Sequence, residues 1–299
     1  MKPLHIALAT LIAAVWGFNF VVIKMGVGEV PPFMLTALRF TLSAIPAIFL
    51  IAPPKVSLQS LLGFGFVLGV GQFGFLFLAI KLGMSASLAS LVLQLQAPFT
   101  MLFAGLFLKE TPKFNQLLGA GVAFSGISLI AANRWSGPDA LPLILCLLAC
   151  MGWAGANIIA KRAKPNDTLS FVIWSSLVSP LPMFALSYGF EDHAALATAL
   201  LHPNLISLGA LLYLAGASTL FGYSAWNYLL RLYPAGTVAP FSLLVPLFGI
   251  LSGVVVLHEH FDSYEIAGGA IVIAGLLLSN FGDRLAIKKK AEPEAPPYN

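Results

Sequence analysis

Long apolar stretches alternate along this chain with short breaks that are rich in proline, glycine and charged residues. A helix needs about 20 predominantly apolar residues to cross a bilayer, and Pro, Gly and charge mark where such helices end. The pattern predicts ten membrane-spanning helices, at residues 4–24, 33–51, 60–81, 85–108, 114–132, 140–160, 169–189, 205–230, 235–257 and 264–282. The connections are too short to hold a soluble domain, so we expect an all-α polytopic membrane protein.

The composition supports a lipid bilayer as the surroundings of this chain. Of the 299 residues, 59% are hydrophobic and 9% are charged, and the mean hydropathy is +0.90, whereas soluble domains carry about 25% charged residues. The net charge of +4 comes without a patch in which basic and aromatic residues alternate. We therefore expect no nucleic-acid partner.

The basic residues fall mostly on one side of the predicted membrane. With a cytoplasmic N-terminus, twelve Lys and Arg residues lie on the cytoplasmic side, Lys24, Lys81 and Arg134 lie on the other side, and Arg39 lies inside a span. Because cytoplasmic loops retain Lys and Arg, this bias predicts that both termini are cytoplasmic. We expect the polar, Pro-rich residues 291–299 to form a disordered cytoplasmic tail.

The two halves of the chain share a spaced pattern that begins at an acidic residue. The positions at 0, +6, +9 and +16 are Glu110, Gln116, Gly119 and Gly126 in one half and Glu259, Glu265, Gly268 and Gly275 in the other. The pattern predicts a duplication of five spans, with repeats at residues 1–134 and 135–290. An odd number of crossings inverts the second copy in the membrane, which is typical of secondary transporters. The alternative is a duplication that only builds a stable helix bundle.

The openings of the two halves also match, since Trp16 and Asn19 are echoed by Trp153 and Asn157. Together with the acid–glycine spacing and the segment ALRF at 37–40, this pattern resembles the EamA-type drug/metabolite transporters over nearly the whole chain. It looks most similar to bacterial exporters of amino acids, including cysteine/O-acetylserine and aromatic amino acid exporters. The resemblance implies ten helices in two inverted five-helix repeats in the bacterial inner membrane. It also implies a central cavity lined mainly by spans one, three, four, six, eight and nine.

Polar side chains deep in the spans are the candidate solute ligands. An unpaired polar group in lipid is costly, so such groups pair with each other or face a wet cavity. Asn19 and Asn157 each share a helix face with the preceding Trp, which places an amide beside the apolar wall of an indole. The alternative is that each Asn forms a hydrogen bond between helices.

Further candidates lie on spans three, four, eight and nine. We expect the solute to contact Asn19, Asn157, Trp16, Trp153, Gln72, Gln94, Tyr223, Trp226, Asn227 and Ser242. Helical spacing predicts that Gln96 points away from Gln94 on span four. For the aromatic residues of span eight, the alternative to solute contact is a role as anchors at the membrane interface. Pro98 and Pro246 interrupt corresponding helices of the two halves and are expected hinges, unless each is a static kink.

Arg39 is the one basic residue well inside a predicted span. A lone cation in the membrane is expensive and usually has a purpose. It can bind a solute carboxylate, or it can pair with carbonyl groups at helix ends. Span seven has no basic counterpart, which favours a structural role, and Arg39 stays among the candidate binding residues.

All twelve acidic residues fall at helix ends, in loops or in the tail. A cationic-drug exporter would need a carboxylate inside the membrane, so the pattern favours an amino acid or another neutral or zwitterionic small solute. Coupling stays open between facilitated diffusion and proton exchange at Glu110, His258 or Glu259. The segment HEHF at 258–261 lacks the spacing of metal ligands.

We therefore predict a secondary transporter that exports its solute by alternating access. The sequence has no nucleophile–base or phosphate-loop motif, so it predicts no metal, no cofactor and no enzymatic activity. A passive channel, or an exporter of other drugs or metabolites, is the alternative function.

Overall fold

The computed structural model describes residues 1–134 and 140–290, and for residues 235, 236 and 281–290 it describes the backbone alone. The main helices are α1 (Pro3–Glu29), α2 (Pro32–Ile48), α3 (Leu58–Lys81), α4 (Ala86–Leu108), α5 (Phe114–Arg134), α6 (Ala140–Ala163), α7 (Thr168–Phe190), α8 (Leu205–Leu232), α9 (Ala239–Leu257) and α10 (Ser263–Lys290). A single helical turn, Ala235–Val238, precedes α9, and a short helix, His193–Leu201, lies between α7 and α8. Within the described residues, nine of the helices are long and apolar enough to cross a membrane.

Each predicted span overlaps one observed helix, although the ends differ. The helices α1 and α10 continue beyond the predicted ends, and α2 is shorter than the predicted span 33–51, with 17 residues. The chain turns after Ile48 and then reaches Pro53 and Pro54, two successive residues that lack the N–H a continued helix would need. Ten transmembrane helices therefore stay a prediction, as does the tail at 291–299, which lies outside the described residues.

Successive helices run in alternate directions between two faces of the molecule. We call the surface at which α1 begins the amino-terminal face, and the surface at which α1 ends the opposite face. At the opposite face the Lys81 ammonium at the end of α3 donates a hydrogen bond to the Val27 carbonyl near the end of α1, at 2.7 Å. Large apolar side chains remain exposed around the bundle, among them Leu106, Leu181 and Leu212, which is the surface expected of a protein solvated by lipid tails.

The glycines of the repeated pattern meet where α5 crosses α10. A methyl group added to Gly119 would lie 2.5 Å from the Gly275 carbonyl oxygen, and one added to Gly126 would lie 2.6 Å from the Gly268 carbonyl oxygen. The reciprocal additions on Gly275 and Gly268 would meet the Gly119 and Gly126 carbonyls at the same distances. The +9 glycine of each half thus packs on the +16 glycine of the other half. Glycine lets the two backbones come this close, as in other membrane helix pairs.

The helices that carry the Trp–Asn pattern occupy equivalent positions in the packing. Helix α1 packs against α8 and α9, and helix α6 packs against α3 and α4. Both packings depend on glycine, because a methyl group on Gly17 would collide with the backbone of α9 and one on Gly152 would collide with Gly71 in α3. Each half of the chain therefore inserts its first helix between two helices of the other half.

Among the described helices, four contain π-helical or 3₁₀ segments in matching places. Helices α3 and α8 contain π-helical segments, Val67–Gly74 and Tyr213–Phe221. Helices α4 and α9 contain 3₁₀ segments, Leu93–Leu95 and Ala239–Leu243, and Pro98 and Pro246 each lie in the first turn of the α-helix that follows. Proline is tolerated there because its missing N–H is not needed by the first turn. Segments of these kinds are common near functional sites, and they surround the cavity described below.

Candidate functional site

A cavity of about 110 Å³ lies inside the bundle, between helices α1, α2, α3, α4, α6, α8 and α9. Eight of the eleven predicted binding residues line it: Trp16, Asn19, Arg39, Gln72, Gln94, Trp153, Tyr223 and Ser242. The lining also includes Phe20, Phe73, Leu76, Leu93, Gln96, Ser218 and Val245. We call this space the inner cavity. It combines aromatic walls, amide groups and one charged side chain.

The π-helical segment of α8 holds the aromatic wall of the inner cavity in place. The Trp16 indole donates a hydrogen bond to the Ser218 carbonyl in that segment, at 3.0 Å. Gly222 allows this approach, since a methyl group there would lie 2.6 Å from the indole nitrogen. The Trp16 ring also packs on Tyr223 and Trp226, with ring centroids 5.7 and 5.3 Å away. The wall is therefore fixed by contacts between α1 and α8.

Several buried polar atoms around the inner cavity have no hydrogen-bond partner among the described residues. They are both amide atoms of Gln72, the Oδ1 atom of Asn19, and the Nε and Nη1 atoms of Arg39. Buried polar groups are paired in the great majority of native proteins, so an orphaned set needs an explanation. Because all three side chains line one cavity, these atoms are available to a polar solute there.

Within the described residues, the Arg39 guanidinium donates a hydrogen bond from Nη2 to the Thr219 hydroxyl, at 3.2 Å. The guanidinium carbon lies over the Phe73 ring, 4.0 Å from the ring centroid. No acidic residue belongs to the described lining of the inner cavity. The cavity therefore carries an uncompensated positive charge.

A second, wider cavity of about 400 Å³ opens at the amino-terminal face, and we call it the outer pocket. It is lined by Gln96, Ala97, Thr100, Met101, Ala104, Glu110, Thr111, Pro112, Gln116, Asn157 and Lys161. The Asn157 amide donates to the Thr100 hydroxyl at 3.1 Å, and the Lys161 ammonium pairs with the Glu110 carboxylate at 2.6 Å. Asn157 thus lines a different cavity from Asn19, and Gln96 lines both.

Gln96 does not point away from Gln94, as regular helical spacing predicts, because both line the inner cavity. The turn between them is 3₁₀-helical at Leu93–Leu95, and three residues per turn rotate successive side chains further than an α-helix does. Gln96 is the clearest polar residue that sequence reasoning missed. The apolar lining residues, such as Phe73 and Val245, could not be predicted, because almost the whole sequence is apolar.

Two predicted residues of α8 lie outside the inner cavity. Trp226 packs behind Trp16 in a small cluster with Ile12 and Leu229. The Asn227 amide donates to the Tyr223 carbonyl of its own helix, at 2.9 Å. Both side chains are therefore placed to support the aromatic wall, and direct contact with a solute stays a prediction for them.

The two acids of the repeated pattern follow helix ends of the same construction. Lys109 and His258 have φ angles of 58° and 53°, in the left-handed region. The next backbone N–H, that of Glu110 or Glu259, bonds to the carbonyl six residues earlier, that of Ala104 or Gly253. Their carboxylates differ. The carboxylate of Glu259 accepts hydrogen bonds from the Ala86 and Ser87 N–H groups at the start of α4, at 2.7 and 2.9 Å, whereas that of Glu110 lies on the outer pocket.

His258, Glu259 and His260 form no metal site in the described part of the chain. No group of three or more His, Cys, Asp or Glu residues is arranged to hold a metal ion there.

Comparison with known proteins finds relatives along nearly the whole chain. The model of the EamA-like transporter family matches residues 4–132 and residues 140–281. The chain is 41% identical to a probable amino-acid metabolite efflux pump of Salmonella typhimurium (strain LT2) and 40% identical to one of Escherichia coli (strain K12). Both comparisons cover 93% of this chain and 95% of the relative.

Two more distant similarities also extend over most of the chain. The chain is 25% identical to the uncharacterized inner membrane transporter YedA of Escherichia coli (strain K12), over 93% of this chain and 91% of that one. One crystal structure shares the fold with a TM-score of 0.54 and 17% sequence identity, over 95% of this chain and 99% of that chain.

Proposed function

Since this chain belongs to the EamA-like transporter family and is therefore a membrane transporter rather than an enzyme, we propose that it exports amino acids and related neutral or zwitterionic metabolites from a bacterial cell. The observation that carries the proposal is the 40–41% identity, across 93% of the chain, to two relatives named as probable amino-acid metabolite efflux pumps. The inner cavity supports it, because amide and guanidinium groups beside aromatic walls suit a small zwitterion.

The transporter is built from two inverted five-helix repeats, at residues 1–134 and 135–290. Three observations support this organisation. The +9 and +16 glycines pack reciprocally between α5 and α10, and α1 and α6 each pack between the third and fourth helices of the other half. The π-helical and 3₁₀ segments also recur at matching places. Such repeats allow two halves to exchange conformations around a shared site.

Both termini face the cytoplasm of the bacterial inner membrane. The excess of Lys and Arg at the amino-terminal face supports this orientation, and Lys161, Arg162 and Arg231 all lie there. The outer pocket then opens to the cytoplasm, and the opposite face is the extracellular side. A solute reaches the inner cavity from the outer pocket past Gln96, which lines both.

Export proceeds by alternating access, and contacts at the opposite face support a state that is closed there. At the opposite face, the Glu259 carboxylate after α9 accepts hydrogen bonds from the first N–H groups of α4. The Lys24 ammonium donates to the Ile80 and Met84 carbonyls at 3.2 and 3.3 Å. For release these bonds break and the outer pocket closes. Bending of α4 and α9 at Pro98 and Pro246 accommodates the change, and the acids at the helix ends are the groups available for proton coupling.

Counterflow in proteoliposomes with a panel of labelled amino acids tests the proposal. We expect saturable exchange that an unlabelled amino acid on the other side accelerates. Asn19→Ala should lower the exchange rate by about tenfold, because it removes a hydrogen-bonding group from the solute site. Asn280→Ala is the matched control, since the Asn280 amide donates to the Leu276 carbonyl of its own helix, remote from both cavities.

Flux that neither saturates nor responds to solute on the other side would indicate a passive channel. Flux of other metabolites but no amino acid would contradict the proposed solute class. Equal exchange by Asn19→Ala and the unmodified protein would remove Asn19 from the binding site.

A further inference from the structure

The guanidinium of Arg39 is buried, yet most of its hydrogen-bonding capacity is unused. The residue is 2% exposed, and its Nε and Nη1 atoms have no partner among the described residues. A guanidinium cannot release its proton in a protein, so it stays charged. A buried charge without a counter-ion is strongly unfavourable unless a partner arrives to satisfy it.

Aromatic rings surround the Arg39 guanidinium, whose Nε and Nη1 atoms have no partner among the described residues. The guanidinium carbon lies 4.0 Å from the centroid of the Phe73 ring and 5.6 and 5.9 Å from those of Phe40 and Phe77. A cation over the face of an aromatic ring is attracted by the electrons of that ring. A planar carboxylate is the group that matches a guanidinium edge, through two parallel hydrogen bonds. Arg39 therefore has hydrogen-bonding capacity left for an anion in the inner cavity.

Two neutral acceptors line the same cavity and complete the pattern. The Oε1 atom of Gln72 and the Oδ1 atom of Asn19 have no partner among the described residues, and these side chains are 0% and 7% exposed. An ammonium group has three donors and no acceptor, so it matches amide oxygens of this kind. The Nε2 atom of Gln72 is also unpaired and supplies a further donor for an anion.

We infer that Arg39 binds the carboxylate of the exported solute while Gln72 and Asn19 accept hydrogen bonds from its ammonium group, so that the transporter selects α-amino acids through their zwitterionic backbone. The inference rests on the proposed function and narrows it. A neutral solute would leave the Arg39 charge unpaired, and a cationic solute would be repelled by it. The aromatic wall, with Trp16, Trp153 and Tyr223, then contacts the side chain of the amino acid and discriminates less strongly between side chains than Arg39 does between backbone groups.

The direct test compares each amino acid that exchanges with its carboxamide and its decarboxylated amine, on the unmodified protein. For L-phenylalanine these analogues are L-phenylalaninamide and phenethylamine. We expect both analogues to exchange at least about tenfold more slowly, because a charge-assisted pair to the guanidinium is lost. This comparison needs no variant to fold. Equal rates for the amino acid and its carboxamide would overturn the inference and leave the proposed function standing.

A variant series tests whether Arg39 is the residue responsible. Arg39→Gln should raise the KM for the amino acid by about tenfold to a hundredfold and abolish the preference over the carboxamide. Arg39→Lys should keep the preference but bind more weakly, because an ammonium is a point charge without the planar edge. Asn280→Ala is the control, since the Asn280 amide donates to the Leu276 carbonyl of its own helix and lines neither cavity, and its KM should stay within about threefold.

The outcomes separate the two claims. An unchanged KM and an unchanged preference in folded Arg39→Gln would show that another group binds the carboxylate, while export of amino acids would remain established. Exchange of no amino acid by the unmodified protein would contradict the proposed function, and the inference with it.

Discussion

The ends of α4 and α9 are built alike but are joined to their surroundings differently. Each helix ends at a residue in the left-handed conformation, Lys109 or His258, followed by an acid. The Glu259 carboxylate accepts two backbone hydrogen bonds across the opposite face. The Glu110 carboxylate pairs with the half-exposed Lys161 beside the outer pocket. The same sequence pattern is therefore followed by a carboxylate bonded across the opposite face in one half and by a carboxylate beside a pocket in the other.

The two halves of the chain pack alike where they meet, but their contacts at the two faces differ. Where both halves contribute the same residues to one contact, as between α5 and α10, the packing is reciprocal. The contacts of Glu110 and Glu259, which lie at different faces, are not alike. An alternating-access cycle requires this arrangement, because the molecule closes one face at a time. Substitutions in matched pairs can therefore separate effects on folding from effects on the state of a face.

The largest effect is expected at the reciprocal crossing of α5 and α10. Gly126→Val and Gly268→Val each force a side chain into the backbone of the partner helix, and this overpacking should destabilise the bundle by about 3 kcal/mol or more. Both variants should lose yield and thermal stability in detergent to the same extent. Gly121→Val is the control, because a methyl group at Gly121 meets nothing within 4 Å. Clearly unequal losses would show that the halves differ even in construction.

A smaller and unequal effect is expected at the glycines near the two acids. A methyl group on Gly253 would collide with the Ser87 hydroxyl and the Glu259 carboxylate, whereas one on Gly105 would meet only the Glu110 carbonyl, at an ordinary 3.5 Å. Gly253→Ala should therefore weaken closure of the opposite face and lower counterflow by about tenfold, for a cost of about 1–2 kcal/mol. Gly105→Ala should change counterflow by less than about threefold. The reverse order in the same assay would contradict the assignment of the closed face.

The smallest effects are expected from the acids themselves. Glu259→Ala leaves two N–H groups at the start of α4 without their acceptor, and loss of such a cap costs about 1 kcal/mol. The apparent Tm should fall by roughly 2–4 °C. Glu110→Ala removes a half-exposed ion pair, which contributes about 0–1 kcal/mol and is screened by salt, so its Tm should change by about 1 °C or less. Equal shifts would mean that Glu259 does not stabilise the closed face.

Hydropathy was sufficient to predict most of the helices, because in lipid every span must be apolar and must satisfy its own backbone. The family resemblance is confirmed by the match over residues 4–132 and 140–281. The short helix His193–Leu201 was missed, since it is not long enough to give a membrane-spanning signal. The second span was drawn too long, because apolar residues continue past Ile48 into a turn.

The inner cavity was predictable from its polar residues, and the division into two cavities was not. Polar side chains such as Gln72 and Gln94 stand out against an apolar chain and must face a cavity or a partner. The rotation of each helix about its axis is set by contacts between helices and by the 3₁₀ and π-helical segments, which leave little trace in the sequence. For this reason Gln96 was assigned to the wrong side, and Asn157 lies in the outer pocket rather than beside Asn19.

Arg39 illustrates a further limit of sequence reasoning. The absence of a basic counterpart in the second half favoured a structural role, but the inner cavity contains residues from both halves and its lining need not be symmetric. The partners that matter, Phe73 and Thr219, come from α3 and α8. The sequence alone does not show that these two residues contact Arg39.

The measurement that tests alternating access most directly is the labelling of a single cysteine at position 96, with Cys146 and Cys150 replaced by alanine, by a membrane-impermeant thiol reagent applied to each face in turn. Gln96→Cys should be labelled from the amino-terminal face and protected from the opposite face. Adding Glu259→Ala should increase labelling from the opposite face and decrease it from the amino-terminal face. Labelling that rises at the opposite face without falling at the other would contradict alternating access and indicate an open channel.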